Sequence, residues 1–177
     1  MLAPSQRFEE AVLEAYTAFA ELVRATFGSK AQLLAFGSFV QGSHLSDSDL
    51  DVSIDLPNRS LGALGQRQAL LKLSGRCRQA PWRLVEERLQ KGLRVPILVV
   101  RYGGALEVEL DVSMGIEHEQ LRKDVTDRLI RYQLIARPLL KDLVRLVKTW
   151  AKREQLHKAF EGYPSRSGLR SLPCKSC

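Results

Sequence analysis

Two acidic residues near position 50 are the best candidates in this chain for metal chemistry. Asp49 and Asp51 begin a segment in which apolar and polar residues alternate, as they do in a half-buried β-strand. Side chains two apart on a strand point to the same side, with backbones roughly 6.7 Å apart. Carboxylate oxygens are ligands that Mg²⁺ and Mn²⁺ prefer. The spacing therefore predicts that the two aspartates share a site for two divalent ions.

A later segment of the same kind supplies a third acid. Residues 106–113 again alternate, and Asp111 lies on their polar face. If the two strands are neighbours, Asp111 can join Asp49 and Asp51 at the same ions. Three carboxylates that hold two Mg²⁺ or Mn²⁺ ions suit the transfer of a nucleotidyl group from a nucleoside triphosphate to a hydroxyl, with release of pyrophosphate.

Four further residues are candidates to bind the triphosphate. Gly37 lets the backbone approach phosphate closely, and Ser38 offers an N–H and a hydroxyl at the start of a short predicted helix, where anions are favoured. Lys148 and Lys152 are one helical turn apart and can reach the β- and γ-phosphates together. The predicted site therefore places acidic residues at the metal ions and basic residues at the pyrophosphate leaving group.

The spacing of the apolar residues predicts an α+β fold. Helical periodicity runs from Ser5, a predicted N-cap, to Gly28, and it returns over residues 61–78 and from about residue 117 onward. Apolar or alternating segments predict strands over 31–36, 49–56, 83–89, 95–102 and 106–113.

The long helix that begins near Pro138 has one apolar and one basic side. The apolar side predicts a stripe that faces the core, formed by Leu139, Leu140, Leu143, Val144, Val147 and Ala151. The basic side carries Lys141, Arg145, Lys148 and Lys152 along one edge. We expect Lys141 and Arg145 to lie in solvent, because most charged residues on a helix face do.

The composition is that of a globular protein with a polyanionic partner. The chain has 177 residues, 45% of them hydrophobic, and its net charge of +7 favours nucleic acid. It has no segment typical of a signal peptide or membrane span, which predicts an intracellular location, cytoplasmic or nuclear, and no membrane association. Cys77, Cys174 and Cys177 do not resemble a disulfide framework, and residues 161–177 predict a disordered tail.

Four motifs, in this order, resemble those of the DNA polymerase β-type nucleotidyltransferases. They are Phe36-Gly37-Ser38, Ser48-Asp49-Leu50-Asp51, Leu110-Asp111-Val112-Ser113 and the helical segment 147–152. Within that superfamily the chain is most similar to the noncanonical poly(A) polymerases and terminal uridylyltransferases. The resemblance implies a palm-like mixed sheet flanked by helices, followed by the start of a helical central domain. The implied boundaries are an N-terminal helix that packs toward the central domain (1–28), the palm (29–135), an incomplete central domain (136–160) and the tail (161–177).

The resemblance also implies roles for individual residues. Ser38 and the two lysines contact the triphosphate, the three aspartates hold metal, and Thr126 is the counterpart of an Asn-Thr pair that helps hold the sugar or base. Relatives usually have an Asn-Asn pair where this chain has Gly115-Ile116, and their base-stacking tyrosine has no counterpart in the segment 169–172. These departures predict a truncated chain with weak or no activity by itself.

The predicted function is template-independent addition of AMP or UMP to an RNA 3′ end, with a protein partner as a further source of RNA specificity. Two alternatives remain open. One is a small-molecule or protein nucleotidyltransferase of the antibiotic-modifying or antitoxin type, which shares the Gly-Ser and Asp-x-Asp motifs. The other is a non-catalytic module that binds RNA through a degenerate palm.

Overall fold

The computed structural model describes residues 3–56, 61–90, 93, 95–115, 117–154 and 156, and the side chains of 117–121 are outside this description. The predicted tail with Cys174 and Cys177, and residues 157–160 of the predicted central domain, lie outside the described residues. No helix within the described ranges is long and apolar enough to cross a bilayer.

A mixed β-sheet forms the centre of the fold and confirms the predicted α+β class. Its strands are β1 (Gln32–Ala35), β2 (Leu50–Asp55), β3 (Trp82–Arg88), β4 (Ile97–Gly103) and β5 (Glu107–Met114). Their order across the sheet is β1-β2-β5-β4-β3. Strands β2 and β5 run parallel, and the other neighbouring pairs run antiparallel. The two aspartate strands are therefore direct neighbours.

Helices surround the sheet. They are α1 (Gln6–Phe27), α2 (Ser38–Gln41), α3 (Ala63–Arg76), α4 (Glu117–Ala136) and α5 (Pro138–Arg153). Helix α1 begins at the predicted N-cap Ser5. The hydroxyl of Tyr16 donates to the carbonyl of Leu33 at 2.6 Å, and the hydroxyl of Tyr102 donates to Oε1 of Glu14 at 2.8 Å. These two bonds hold α1 against β1 and β4.

The core lies between the sheet and helices α1 and α3, because the alternating strands turn their apolar residues to that side. Residues from β2 and β5 in this core are Leu50, Val52, Ile54, Val108, Leu110, Val112 and Met114. The predicted polar face is not exposed along its whole length. Ser53 and Ser113 are register partners on that face and are buried, and the hydroxyl of Ser113 donates to the carbonyl of Val52 at 3.3 Å.

Helix α5 turns the opposite side toward the palm from the one that the sequence predicts. Arg145 is only 6% exposed, whereas Leu139, Leu143 and Val147 are 85%, 54% and 48% exposed. The expectation that these three apolar residues lie in the core and that Arg145 lies in solvent is therefore wrong. The loop between α2 and β2 presents carbonyl oxygens to α5. Cationic side chains can donate to these oxygens and leucine cannot.

Candidate active site

The parallel pairing of β2 and β5 brings two of the predicted metal ligands to the same level of the sheet. Asp51 and Asp111 are register partners, although they are 60 residues apart in the sequence. Partners on neighbouring strands have backbones about 5 Å apart, and their side chains point to the same face. Asp49 precedes the first residue of β2 and is exposed. The site therefore combines Asp51 and Asp111, which the strand pairing holds side by side, with Asp49 just before the start of β2.

The surroundings of Asp111 disfavour a negative charge. Burial raises the pKa of Asp111 to about 7, and repulsion from Asp49 and Asp51 adds to the increase, while Arg88 opposes it. All three acids are thus close enough to interact electrostatically. A divalent cation among them would remove the repulsion, so the donor set, which is all carboxylate oxygen, fits Mg²⁺ or Mn²⁺.

The acids do not form a closed metal cage. Across the described ranges, no three Asp, Glu, His or Cys side chains are near enough to one another to hold an ion. Asp51 and Asp111 are fixed by the strand pairing, whereas Asp49 is exposed.

The predicted Gly-Ser turn packs directly against this cluster. Gly37 has a φ of 71°, which favours glycine, and a Cβ built at this position would lie 2.5 Å from Oδ2 of Asp51. The N–H of Phe36 donates to the carbonyl of Asp51 at 3.0 Å. Ser38, the first residue of α2, is 1% exposed. A side chain at position 37 would therefore displace the Asp51 carboxylate.

A buried acid that the sequence did not point to holds the same turn. Asp127 of α4 is 5% exposed, and its Oδ2 accepts the N–H of Gly37 at 2.6 Å. Its Oδ1 accepts Nε2 of Gln41 at 2.7 Å. Thr126, the predicted counterpart of the sugar-binding pair, is exposed on α4 beside it. Within the described residues, Asp127 therefore makes the contact between this part of α4 and the Gly-Ser turn.

The two predicted phosphate-binding lysines lie beside the loop that leads into β2. Nζ of Lys148 donates to the carbonyl of Ser43 at 2.9 Å. Nζ of Lys152 donates to the carbonyl of Asp47 at 2.7 Å and lies 3.1 Å from Oδ1 of the same residue. The lysines therefore face the segment between the Gly-Ser turn and the aspartates.

A comparison with protein families identifies the family to which the palm belongs. The family model described as "Poly(A) RNA polymerase, mitochondrial-like, central palm domain" matches residues 2–121. The chain belongs to this family. The matched region contains the whole sheet, the Gly-Ser turn and all three aspartates, which confirms the resemblance to the polymerase β-type nucleotidyltransferases.

Solved structures of poly(U) polymerases and related enzymes share the palm fold. The Cid1 poly(U) polymerase with MgGTP bound superposes with a TM-score of 0.73 at 21% identity, over 95% of this chain and 50% of that one. A cytoplasmic RNA terminal U-transferase gives 0.70 at 21% identity, over 93% and 46%. GLD-2, solved in complex with RNP-8, gives 0.69 at 17% identity, over 86% and 56%.

The chain spans about half the length of these solved relatives. No curated protein is significantly similar to it in sequence. The family assignment therefore applies to residues 2–121, which contain the sheet and the three aspartates, whereas α5 with Lys148 and Lys152 lies beyond the matched region.

Proposed function

We propose that this chain forms the catalytic palm of an enzyme that adds AMP or UMP from a nucleoside triphosphate to the 3′ end of an RNA. The observation that carries the proposal is the register pairing of Asp51 with Asp111 beside a Gly-Ser turn that packs on Asp51. Membership of the poly(A) RNA polymerase palm family supports RNA as the acceptor. The net charge of +7 supports it as well.

In the proposed reaction, the 3′-hydroxyl oxygen of the RNA forms a bond to the α-phosphorus, and the bond from that phosphorus to the α,β-bridging oxygen breaks. The hydroxyl proton leaves to solvent and pyrophosphate is released. Two bound Mg²⁺ ions would supply acidification of the hydroxyl and neutralisation of phosphate charge. Asp49, Asp51 and Asp111 would hold those ions.

The remaining residues of the site would bind and orient the triphosphate. Ser38 can donate its hydroxyl and its N–H to phosphate oxygen. Lys148 and Lys152, which donate to loop carbonyls in this structure, can exchange those acceptors for phosphate oxygens, since a charge-assisted bond to phosphate is the stronger one. Thr126 would contribute to the sugar site from α4.

A protein partner that supplies RNA specificity, and an intracellular location, are further parts of the proposal. GLD-2, one of the similar structures, was solved with its partner RNP-8, which supports the idea that palm enzymes of this kind work in complexes. The chain would then contribute the chemistry, and the partner would contribute contacts to the RNA.

The first test measures Mg²⁺-dependent binding of a non-hydrolysable ATP or UTP analogue by calorimetry, with RNA extension measured in parallel. We expect Asp51→Asn and Asp111→Asn each to weaken binding in Mg²⁺ by about tenfold or more, because each removes a ligand charge. Asp55→Asn is the matched control, since Asp55 lies on the same strand at the far end from the turn. Unchanged affinity in both site variants would exclude the proposed metal site.

A further inference from the structure

A cation that the sequence did not single out lies beside the Gly-Ser turn. Lys123, in the second turn of α4, is half-buried, and its Nζ lies 4.0 Å from the centroid of the Phe36 ring. An ammonium at this distance from an aromatic ring makes a cation–π contact. Phe36 directly precedes Gly37, the first residue of the turn. The contact therefore holds a positive charge next to the segment that is proposed to bind the triphosphate.

The ring of Phe36 lies on the same face of the sheet as the acids. Strand β1 pairs antiparallel with β2 as far as Ala35 and Val52, and the N–H of Phe36 continues this ladder by donating to the carbonyl of Asp51 at 3.0 Å. Phe36 is therefore opposite Asp51, which is itself opposite Asp111. Side chains of opposite residues point to the same face of a sheet. The three residues thus form a row across the polar face, on strands about 4.8 Å apart.

The order within this row places Lys123 on one side of the acid pair. Asp51 is in the middle, with Asp111 on one side and Phe36 on the other. The Gly-Ser turn follows Phe36, so it also lies on the side away from Asp111. A triphosphate bound at the turn would therefore be on the same side of Asp51 as the ammonium of Lys123.

One face of α4 supplies both contacts to this segment. Asp127 follows Lys123 by one helical turn, and residues four apart lie on the same face of a helix. Oδ2 of Asp127 accepts the N–H of Gly37 at 2.6 Å, while Lys123 contacts the ring of the preceding residue. The position of Lys123 over Phe36 therefore depends on the same packing of α4 that holds the turn.

The ammonium of Lys123 can still donate to a ligand. An ammonium has three N–H donors, and the ring of Phe36 covers only one side of it. The neighbouring acid on α4, Asp124, is paired with Arg128 at 2.9 Å. An anion that approaches from the side away from the ring would meet an ammonium that is already held in place, which reduces the entropy cost of binding.

We propose that Lys123 is a third cation of the nucleotide site and binds the triphosphate from α4, while Lys148 and Lys152 bind it from α5. This proposal rests on the proposed function, because it takes the Gly-Ser turn and the aspartates as the nucleotide site. The two α5 lysines contact the loop carbonyls of Ser43 and Asp47, whereas Lys123 contacts Phe36. The triphosphate would therefore receive charge-assisted bonds from two helices that approach it over different segments of the palm.

The test is calorimetric titration of the full chain in Mg²⁺ with a non-hydrolysable ATP or UTP analogue, at low and at high salt. Lys123→Met keeps an unbranched apolar side chain against Phe36 and removes the charge. At low salt it should weaken binding about tenfold, the effect of losing one bond to a charged group. The loss should become smaller at high salt, since salt screens the attraction between charges. Lys123→Arg keeps the charge and should retain most of the affinity.

Two controls separate this role from effects on the fold. Arg128→Gln removes an exposed cation from the same helix and should leave the affinity unchanged. Thermal unfolding shows whether each variant is folded, and Lys123→Gln is a second charge-free variant if Lys123→Met is unstable. A loss of affinity that is equal at low and high salt, or that is as large in Lys123→Arg, would show a structural role and overturn the proposal.

Asp51→Asn distinguishes failure of this proposal from failure of the proposed function. If Asp51→Asn weakens binding of the analogue and Lys123→Met does not, the nucleotide site stands and the role of Lys123 is refuted. If neither variant changes the affinity, the proposed function fails and the role of Lys123 fails with it.

Discussion

The palm sheet and helix α5 use opposite faces to contact the rest of the molecule. In β2 and β5 the apolar residues face the core and the acids face the open side. In α5 the cations Arg145, Lys148 and Lys152 face the loop before β2, and Leu139 and Leu143 face outward. Both regions therefore have one apolar and one polar side, but the strands turn the apolar side inward and α5 turns the basic side inward.

The difference shows that a periodic pattern defines two faces but not their direction. In the sheet, α1 and α3 supply an apolar surface, so the apolar side of each strand must turn toward it. In α5 the nearest surface is a loop whose carbonyl oxygens need donors, and the basic side provides them. The direction is set by the neighbour and not by the helix itself.

The largest expected effect is a contrast between two leucines. Leu110→Ala removes a fully buried side chain from β5 and should lower the free energy of unfolding by about 2–5 kcal/mol, through lost burial and a residual cavity. Leu139→Ala, at 85% exposure, should change it by less than about 0.5 kcal/mol. Urea unfolding followed by circular dichroism measures both. A comparable loss in the two variants would mean that α5 packs by its apolar side after all.

Asp111→Asn tests the polar side of the palm. Burial and the neighbouring acids raise the pKa of Asp111 from 3.8 to about 7, so the folded state favours the protonated carboxyl. The contribution of Asp111 to the free energy of unfolding is therefore fully present below pH 3.8 and is lost as the pH rises through about 7. Without metal at pH 8, the asparagine variant should therefore be more stable than the parent by between about 1 and 4 kcal/mol.

That gain should disappear below about pH 4, where the parent is protonated in both its folded and unfolded states. Added Mg²⁺ should stabilise the parent and not the variant, since binding to the folded state alone raises stability. Thermal unfolding at three pH values, with and without Mg²⁺, makes the comparison. Equal stability of the two proteins at pH 8 in EDTA would contradict the electrostatic description of the cluster.

Asp127 tests the contact between α4 and the Gly-Ser turn beside the sheet and has the smallest expected effect. Asp127→Ala leaves the N–H of Gly37 and the amide of Gln41 without their acceptor, which should lower the free energy of unfolding by about 1–3 kcal/mol and weaken Mg²⁺-dependent triphosphate binding. Asp127→Asn keeps an acceptor for Gly37 and should retain most of both properties. Asp124→Ala, at an exposed acid on the same helix, is the control.

Affinity for the triphosphate distinguishes the roles that Asp127 can have. A residue that holds the turn in place gives weaker binding in the alanine variant and near-normal binding in the asparagine variant. Tighter binding in both variants would instead show that the carboxylate competes with phosphate for the N–H of Gly37.

The sequence was sufficient for the elements that follow from local periodicity and insufficient for those that depend on a distant neighbour. The alternation around Asp51 and Asp111 predicted both strands, and their matching polar faces predicted that the acids could meet. The burial of Arg145 was not predictable, because it depends on carbonyls from a loop 103 residues earlier in the chain. The bond from Gly37 to Asp127 joins residues 90 apart and leaves no local pattern.

The pairing of β2 with β5 makes the acid cluster a product of the complete tertiary structure. Asp111 reaches its place beside Asp51 only when β5 pairs with β2, and α3, β3 and β4 lie between these two strands in the sequence. Contacts of such high sequence separation form late and slowly in folding. A palm in which β5 is not paired with β2 would lack Asp111 at the site, so divalent-ion affinity would report how much of the population has reached the native topology.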